Sequence, residues 1–275
     1  MSVPEGASPF ADAPAPWHCS GEAFWFFGHI SSKKGSYPPS SAFNDAEAAS
    51  SFSDAKASGE YHGGLTSLML VRYKDTPVGP YDELIWIPGA FSVPQTSMKK
   101  LRITRIYVSA KESVYNGRKN WNIPKTVAHF EFTPNPKATS PDVLPYSKIT
   151  VSSPSDPEHP FFAINITPSR FLSKPWLPYD SSWTPLDTYL VQPPLPESPK
   201  WREDALIGTN RWWGIDPLMK GKAAVIWGEG GLEGDKYGDN VGIPDLNPWK
   251  MGLWLKDFML DFPTGEEIGG DKKTD

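Results

Sequence analysis

Prolines and glycines divide this chain into short apolar segments along almost its whole length. The 275 residues include 30 Pro and 23 Gly. Proline lacks a backbone N–H and fixes φ, so it disfavours long helices and is confined to the edges or ends of strands. The intervals between these residues are rich in β-branched and aromatic side chains, which favour strands. The sequence therefore predicts a chain built mainly of short strands.

Two helices are expected among these strands. One is a short surface helix at 43–56, and the other runs from 110 to 121 and ends before Pro124. The proline-rich span 168–199 is interpreted as an extended surface excursion. The predicted strands lie at 21–27, 65–73, 83–88, 101–108, 126–132, 148–152, 161–166, 223–227 and 251–262.

Many strands, few helices and no clear linker predict one β-rich α+β domain. Its predicted bounds are 17–265. A flexible N-terminal arm is expected at 1–16, where Pro, Ala and Ser dominate, and a polar C-terminal tail at 266–275.

Composition excludes several classes of function. The net charge of −5 argues against a surface for phosphate, so no nucleic-acid partner is expected. The single cysteine, Cys19, excludes an internal disulfide and a cysteine-based zinc site, and the five His lack metal-ligand spacing. No apolar run approaches the length of a membrane span, and no leader peptide is visible. A cytoplasmic protein without metal or membrane contact is the prediction.

A glycine-rich run at 228–234 follows a predicted strand and invites comparison with dinucleotide-binding loops. The glycine spacing does not fit that motif, and Pro244 follows instead of a helix. A flexible loop, which could act as a pocket lid, is expected there, and no cofactor is expected.

Lys125 begins a predicted strand, with Ile123 and Val127 close by. Burial in such surroundings disfavours the ammonium, lowers the pKa and leaves a neutral amine able to attack a carbonyl. The alternative from the pattern alone is an exposed cation. His129 and Glu131 alternate with Lys125 along the predicted strand, so they are candidates for acid–base catalysis or simply part of an exposed strand face.

Three segments carry a resemblance to a known family. Gly117-Arg118, followed at a fixed distance by Ile123-Pro124-Lys125, resembles the active-site segment of the acetoacetate decarboxylase family. The segment 78–83 resembles the family's Gly-Pro-Tyr-x-Glu element, and 247–257 resembles the closing strand of fungal-type members. The similarity extends over residues 65–262 but is specific only in these three places.

The resemblance implies a double-sheet cone or barrel around a central hydrophobic pocket, frequently as a homo-oligomer. It makes Lys125 the nucleophile that forms a Schiff base, Glu83 the proton-transfer group and Arg118 a third catalytic candidate, for which structural ion pairing is the alternative. The candidate substrate-binding residues are Tyr81, Trp86, Tyr107, Trp121 and His129.

Departures from the family pattern weaken the case for acetoacetate as substrate. Thr126 stands where bacterial members often carry a second lysine, and Lys119 stands where they carry a glutamate. The region 17–27 contains no Arg to hold a substrate carboxylate. The sequence thus favours a small hydrophobic keto-bearing metabolite and leaves three functions open. These are a Schiff-base lyase, a cofactor-free cyclase, pericyclase or isomerase of secondary metabolism that forms no imine, and a non-catalytic binding protein.

Overall fold

The computed structural model describes residues 8–31, 38–169, 176–183 and 187–269. In this part of the chain the helices are short: α1 (Asp45–Ala48), α2 (Ala55–Ser58), α3 (Lys111–Trp121) and α4 (Trp201–Asp204). The strands are β1 (Trp17–Ser31), β2 (Tyr61–Asp75), β3 (Tyr81–Ile87), β4 (Ala90–Ser92), β5 (Lys99–Leu101), β6 (Arg105–Val108), β7 (Lys125–Val127), β8 (His129–Pro134), β9 (Tyr146–Ser153), β10 (Asp156–Pro168), β11 (Leu177–Asp180), β12 (Leu190–Gln192), β13 (Trp212–Ile215), β14 (Leu218–Gly230), β15 (Met251–Phe262) and β16 (Glu266–Ile268). None of the described helices has the length and apolar character that a membrane crossing requires.

Hydrogen bonds join the described strands into one continuous sheet. Its main path runs β16-β13-β12-β5-β4-β2-β1-β15-β14-β10-β9-β8. β2 also pairs with β3, which continues through β6 to β7. Side chains of β12 and β13 share one apolar cluster with side chains of β14 and β15, so the sheet curls around that cluster. The β-rich α+β fold expected from the sequence is confirmed.

Two apolar cores lie on opposite faces of the central strands. In β3, Tyr81 belongs to the first core, whereas Leu84 and Trp86 belong to the second. In β1, Cys19 belongs to the first core and Phe24 to the second. This division follows from the period of two along a strand. The first core contains the cavity described below.

α3 connects two parallel strands, β6 and β7, and so positions Lys125. Asn122 ends the helix in a left-handed conformation with φ 54°, and its N–H donates to the carbonyl of Arg118 at 3.0 Å. Pro124 cannot continue the helix, because it has no N–H to donate. The chain therefore turns directly into β7, where Lys125 lies opposite Ile106 of β6.

Two predicted strands are each divided in the structure. The expected strand at 101–108 forms β5 and β6, because β5 pairs with β4 and β12, whereas β6 pairs with β3 and β7. The expected strand at 126–132 forms β7 and β8, which break at Ala128. The reason is that β7 pairs with β6, whereas β8 pairs with β9.

Parts of the predicted N-terminal arm and of the predicted polar tail contact the rest of the domain. Asp12 and Ala13 bind α3: Asp12 pairs with Lys119 at 2.5 Å, and the N–H of Ala13 donates to Asn116 Oδ1 at 2.8 Å. At the other end, β16 pairs with β13, so the sheet continues past the predicted domain boundary at 265. Residues 1–7 of the arm and 270–275 of the tail lie outside the described residues.

Two other expectations change. The predicted helix at 43–56 forms α1 and the first residues of α2, with turns between them. The proline-rich span 168–199, expected at the surface, contains β12, whose three residues are buried between β5 and β13. Apolar Leu190 and Val191 explain this burial. Residues 170–175 and 184–186 of that span lie outside the described residues. The glycine-rich run at 228–234 begins in β14, which extends to Gly230.

Candidate active site

Lys125 lies buried in the first core with its amine held by three side chains. Its Nζ donates to Glu83 Oε2 at 2.7 Å, to Ser113 Oγ at 3.0 Å and to the Tyr81 hydroxyl at 3.2 Å. Only 4% of Lys125 and 3% of Glu83 is exposed, so both members of the ion pair are removed from water. A buried cation persists only with such partners.

The second carboxylate oxygen of Glu83 also accepts a hydrogen bond. The hydroxyl of Tyr73 on β2 donates to Glu83 Oε1 at 3.2 Å. Tyr73 lies opposite Tyr81 in the β2–β3 register, and their ring centroids are 4.6 Å apart. The hairpin therefore holds the carboxylate between a phenol and the lysine amine.

Gly117 makes room for the lysine side chain. A Cβ at this position would lie 2.7 Å from Lys125 Cδ and 2.8 Å from Cε. Ser113 stands one helical turn earlier on the same face of α3, where it accepts the hydrogen bond from the amine. The Gly-Arg motif thus has a steric explanation: glycine lets the lysine chain pass across the helix.

The pKa of Lys125 moves in the direction opposite to the sequence expectation. Burial by itself lowers this pKa, but the Glu83 carboxylate and then the Tyr81 hydroxyl raise it, and the net pKa is above the ordinary value for lysine. The predicted depression of the pKa is therefore wrong. It considered desolvation alone, whereas the partner carboxylate lies within hydrogen-bonding distance.

Other groups in the site are held neutral. Burial raises the pKa of Tyr81 and that of Tyr73, so both phenols remain protonated at neutral pH. Burial also raises the pKa of the Cys19 thiol to about 12. Apart from the Lys125–Glu83 pair, this end of the cavity therefore presents neutral donors and acceptors.

A cavity of about 300 Å³ opens from this cluster. Among the described residues, Lys125 is its only Lys or Arg, and Glu83 and Asp187 are its only carboxylates. Its walls are otherwise largely apolar, which suits a hydrophobic ligand with one polar group. Wall residues include Trp17, Trp25, Met69, Ile85, Trp121 and Met219.

Arg118 has a structural environment instead of the expected catalytic one. Its guanidinium pairs with Glu47 at 2.8 Å and donates to the carbonyls of Pro196 at 2.7 Å and Ile207 at 2.9 Å. The arginine is fully buried and does not line the cavity. It joins α3 to α1 and to the segment 196–207, which includes α4, so its assignment to catalysis is corrected to a structural role.

The structure brings only part of the predicted substrate-binding set to the cavity. Tyr81 and Trp121 line it. Trp86 and Tyr107 belong to the second core on the other face of the sheet, and Tyr107 donates to the carbonyl of Gly242 at 2.5 Å. His129 is exposed, because the break at Ala128 removes it from the face of Lys125. These three assignments are corrected.

Tyr73 and Ser113 contact the Lys125–Glu83 pair but were not predicted from the sequence, and Cys19, which lines the cavity, was not predicted as a site residue. Tyr73 could have been found from the hairpin, since a turn at 76–79 places it across from Tyr81. Ser113 could have been found from Gly117, four residues later on a predicted helix. In the described residues no group of three His, Cys, Asp or Glu side chains is arranged to hold a metal ion.

Comparison with solved structures identifies the class of fold. Acetoacetate decarboxylase from Legionella pneumophila aligns with a TM-score of 0.54 at 11% identity, covering 98% of this chain and 92% of that chain. MppR, an enduracididine biosynthesis enzyme complexed with the condensation product of pyruvate and imidazole 4-carboxaldehyde, aligns with a TM-score of 0.52 at 15% identity, covering 97% of each chain. The protein has the acetoacetate decarboxylase-like fold, as the motifs predicted.

Sequence comparison covers a much smaller part of the chain than structural comparison does. No known family profile matches the chain. The rice protein NEOXANTHIN-DEFICIENT 1 (Oryza sativa subsp. japonica) is 38% identical over 69 residues, which cover 25% of this chain and 22% of that protein. The match therefore spans about a fifth of the relative's length. The fungal-type subtype stays a prediction.

Gly117→Ala is expected to displace the Lys125 side chain and thereby to lower the reactivity of its amine toward carbonyl compounds. The new methyl group must displace the lysine chain, and a shift of about 1 Å in a reacting group costs up to about 100-fold in rate. The helix preference of alanine over glycine, about 1 kcal/mol, offsets part of the cost of this crowding in the buried site. The effect is measured as the rate at which borohydride traps a ketone adduct on Lys125 in the Gly117→Ala variant. Glu112→Ala, on the exposed side of α3, is the control. Equal rates in both variants would contradict it.

Proposed function

We propose that this protein is a cofactor-independent enzyme that forms an imine between Lys125 and a hydrophobic ketone or aldehyde. The observation that carries the proposal is a buried amine 2.7 Å from a carboxylate, at one end of an apolar cavity. The acetoacetate decarboxylase-like fold, which the chain shares with two enzymes, supports it. Lyase chemistry on the imine is the proposed reaction class.

The raised pKa of Lys125 sets the first requirement of the mechanism. The nucleophile is the neutral amine, so the ammonium must lose a proton before attack. Glu83 Oε2 accepts it across 2.7 Å. An incoming carbonyl compound with an apolar substituent displaces water from the site. In the resulting dry site a neutral amine and a neutral carboxylic acid are favoured over two buried charges, so substrate binding promotes the proton transfer.

The remaining steps return that proton. The amine attacks the carbonyl carbon to form a carbinolamine, and the carbinolamine hydroxyl leaves as water after Glu83 returns the proton. The product is a protonated imine, which withdraws electrons from the bond to the adjacent carbon. Glu83, again a carboxylate, can take a proton from that carbon to give an enamine. Glu83 then returns this proton to the carbon, or to the carbon left after bond cleavage, which regenerates the protonated imine. Its hydrolysis by one water releases the carbonyl product and restores the ammonium of Lys125.

The charge of the cavity favours an uncharged substrate. Lys125 is the only Lys or Arg among the described lining residues, and Glu83 already neutralises it. The carboxylate of a β-keto acid would have no cation partner there, and burying an unpaired charge is costly. Dehydration or retro-aldol cleavage of a neutral carbonyl compound therefore fits better than decarboxylation.

Borohydride trapping tests the proposal directly. We expect reduction in the presence of 2-nonanone to attach the ketone covalently to Lys125, as read by peptide mass spectrometry. Lys119→Met, at an exposed position of α3, should trap as the unaltered protein does. Lys125→Met should trap nothing at this site. Absence of an adduct on Lys125 under saturating ketone would refute the imine.

A second candidate, isomerisation or cyclisation without an imine, is supported by the raised pKa itself. A permanently protonated Lys125 beside Glu83 would serve as a hydrogen-bond donor and electrostatic catalyst. The name of the rice relative, NEOXANTHIN-DEFICIENT 1, also suggests a terpenoid substrate. Lys125→Arg distinguishes the candidates, since it keeps the cation but cannot form the imine. Substrate turnover that survives this change would select the second candidate.

A further inference from the structure

We infer that the cavity accommodates a carbonyl compound with a long hydrocarbon tail, the carbonyl lying at Lys125 and the tail running along β2 and β3 to a solvent-facing mouth. This inference rests on the proposed function, in which Lys125 holds the carbonyl. It adds the substrate class: ketones or aldehydes with an extended aliphatic chain.

The walls of the cavity follow the strands over most of their length. Alternate residues of β2, from Tyr73 back to Leu65, line the cavity, with only Val71 missing from the series. In the β2–β3 register Val71 lies opposite Glu83. A strand rises about 3.3 Å per residue, so the wall from Val71 to Leu65 is about 20 Å long. A small keto acid would leave most of this length empty.

Burial gives the channel a direction. At the lysine end, Trp17 and Trp121 are 2% exposed, and Lys125 is 4% exposed. At the other end Leu101 adjoins Lys100, which pairs with Asp187, whose side chain is 59% exposed. Polar groups therefore mark a mouth next to Leu101. A ligand that enters there places its leading carbonyl at Lys125 and leaves its tail toward the mouth.

The chemistry of the walls between these ends is that of a hydrocarbon site. Met69 and Ile85 face each other across the β2–β3 register, and Ile87 lies beyond them opposite Ser67. Ser67 already accepts a hydrogen bond from Trp25 Nε1 at 2.7 Å, and its hydroxyl is the one polar group among these four side chains. The middle of the channel thus offers apolar contact and little hydrogen bonding, which selects a tail without polar groups.

A chain-length series of methyl ketones, from 2-butanone to 2-nonadecanone, whose tail spans the whole wall, tests the channel by equilibrium dialysis. Burial of each methylene strengthens transfer from water by about 0.8 kcal/mol, or about fourfold in affinity. We expect affinity to rise by about this factor per methylene and to level off once the tail reaches the mouth. In Ile87→Phe the added ring fills the outer channel, so the plateau in affinity should come at a shorter chain.

Ile30→Phe, on the exposed part of β1, is the matched control and should leave the whole series unaltered. Affinity independent of chain length, or the same plateau in Ile87→Phe as in the unaltered protein, would overturn the channel. The two proposals fail separately. Length-dependent binding with no borohydride adduct leaves the channel standing and refutes the imine. Adduct formation together with an affinity that does not depend on chain length refutes the channel and leaves the imine standing.

Discussion

Glu83→Gln is expected to lower the pKa of Lys125 and, at the same time, to slow catalysis on the imine. Glu83 is the group that stabilises the ammonium, and without it the burial of Lys125 remains. The Tyr81 hydroxyl cannot replace the lost negative charge, because its own raised pKa keeps it neutral. The neutral fraction of the amine at a given pH below the pKa of wild-type Lys125 should therefore rise. Competitive acetylation of Lys125 with acetic anhydride between pH 6 and 11, read by mass spectrometry, measures this pKa.

The same variant should also catalyse the exchange of α-protons more slowly than the unaltered protein. Exchange of the α-protons of a bound methyl ketone into D₂O needs an imine and a base, and loss of a positioned acid–base group costs about 10² to 10⁴-fold. Asp82→Asn is the matched control, since it removes the adjacent carboxylate, which faces away from the cavity and pairs with Arg72. A Glu83→Gln variant with an unchanged pKa at Lys125, or with the exchange rate of Asp82→Asn, would contradict the assigned role of Glu83.

The pairing of Lys125 with Glu83 was within reach of the sequence, whereas its electrostatic outcome was not. Two short motifs suggested both residues, and the alternation of β3 then places Tyr81 beside Glu83 on the same face. The sign of the shift in the lysine pKa depends on a competition between burial and a carboxylate 2.7 Å away. That distance results from the register of β3 against β6 and of β6 against β7, which single-sequence periodicity does not define.

Trp86 and Tyr107 show why sequence patterns misassigned some side chains. β3 is covered on both faces, so Leu84 and Trp86 are as apolar as the cavity-facing residues of the same strand. A strand buried on both sides loses the alternation of polar and apolar residues that would reveal which face is which. The prediction for His129 was wrong for a different reason. β7 ends before Ala128 and β8 begins after it, so the alternation of faces that includes Lys125 does not continue to His129.

Arg118→Met is expected to destabilise the protein by about 3–5 kcal/mol, because it leaves the Glu47 carboxylate buried without its cation. The paired side chains of Arg118 and Glu47 are 0% and 1% exposed. Arg118 Nη1 donates to Glu47 Oε1, and Glu47 Oε2 has no hydrogen-bond partner among the described residues, so the carboxylate depends on the arginine. Urea unfolding, with the free energy extrapolated to water, measures the loss.

Arg211→Met provides the control on the surface. It breaks an ion pair with Glu267 in which the side chains are 59% and 40% exposed, and such pairs contribute about 0–1 kcal/mol. A structural role for Arg118 predicts further that replacing Glu47 by Leu in the Arg118→Met variant recovers part of the lost stability, since no buried charge is then left alone. It also predicts that the folded single variant still forms the borohydride adduct at Lys125. If the Arg118→Met variant had normal stability but formed no adduct, Arg118 would be a catalytic residue, since the loss of a purely structural ion pair cannot produce that combination.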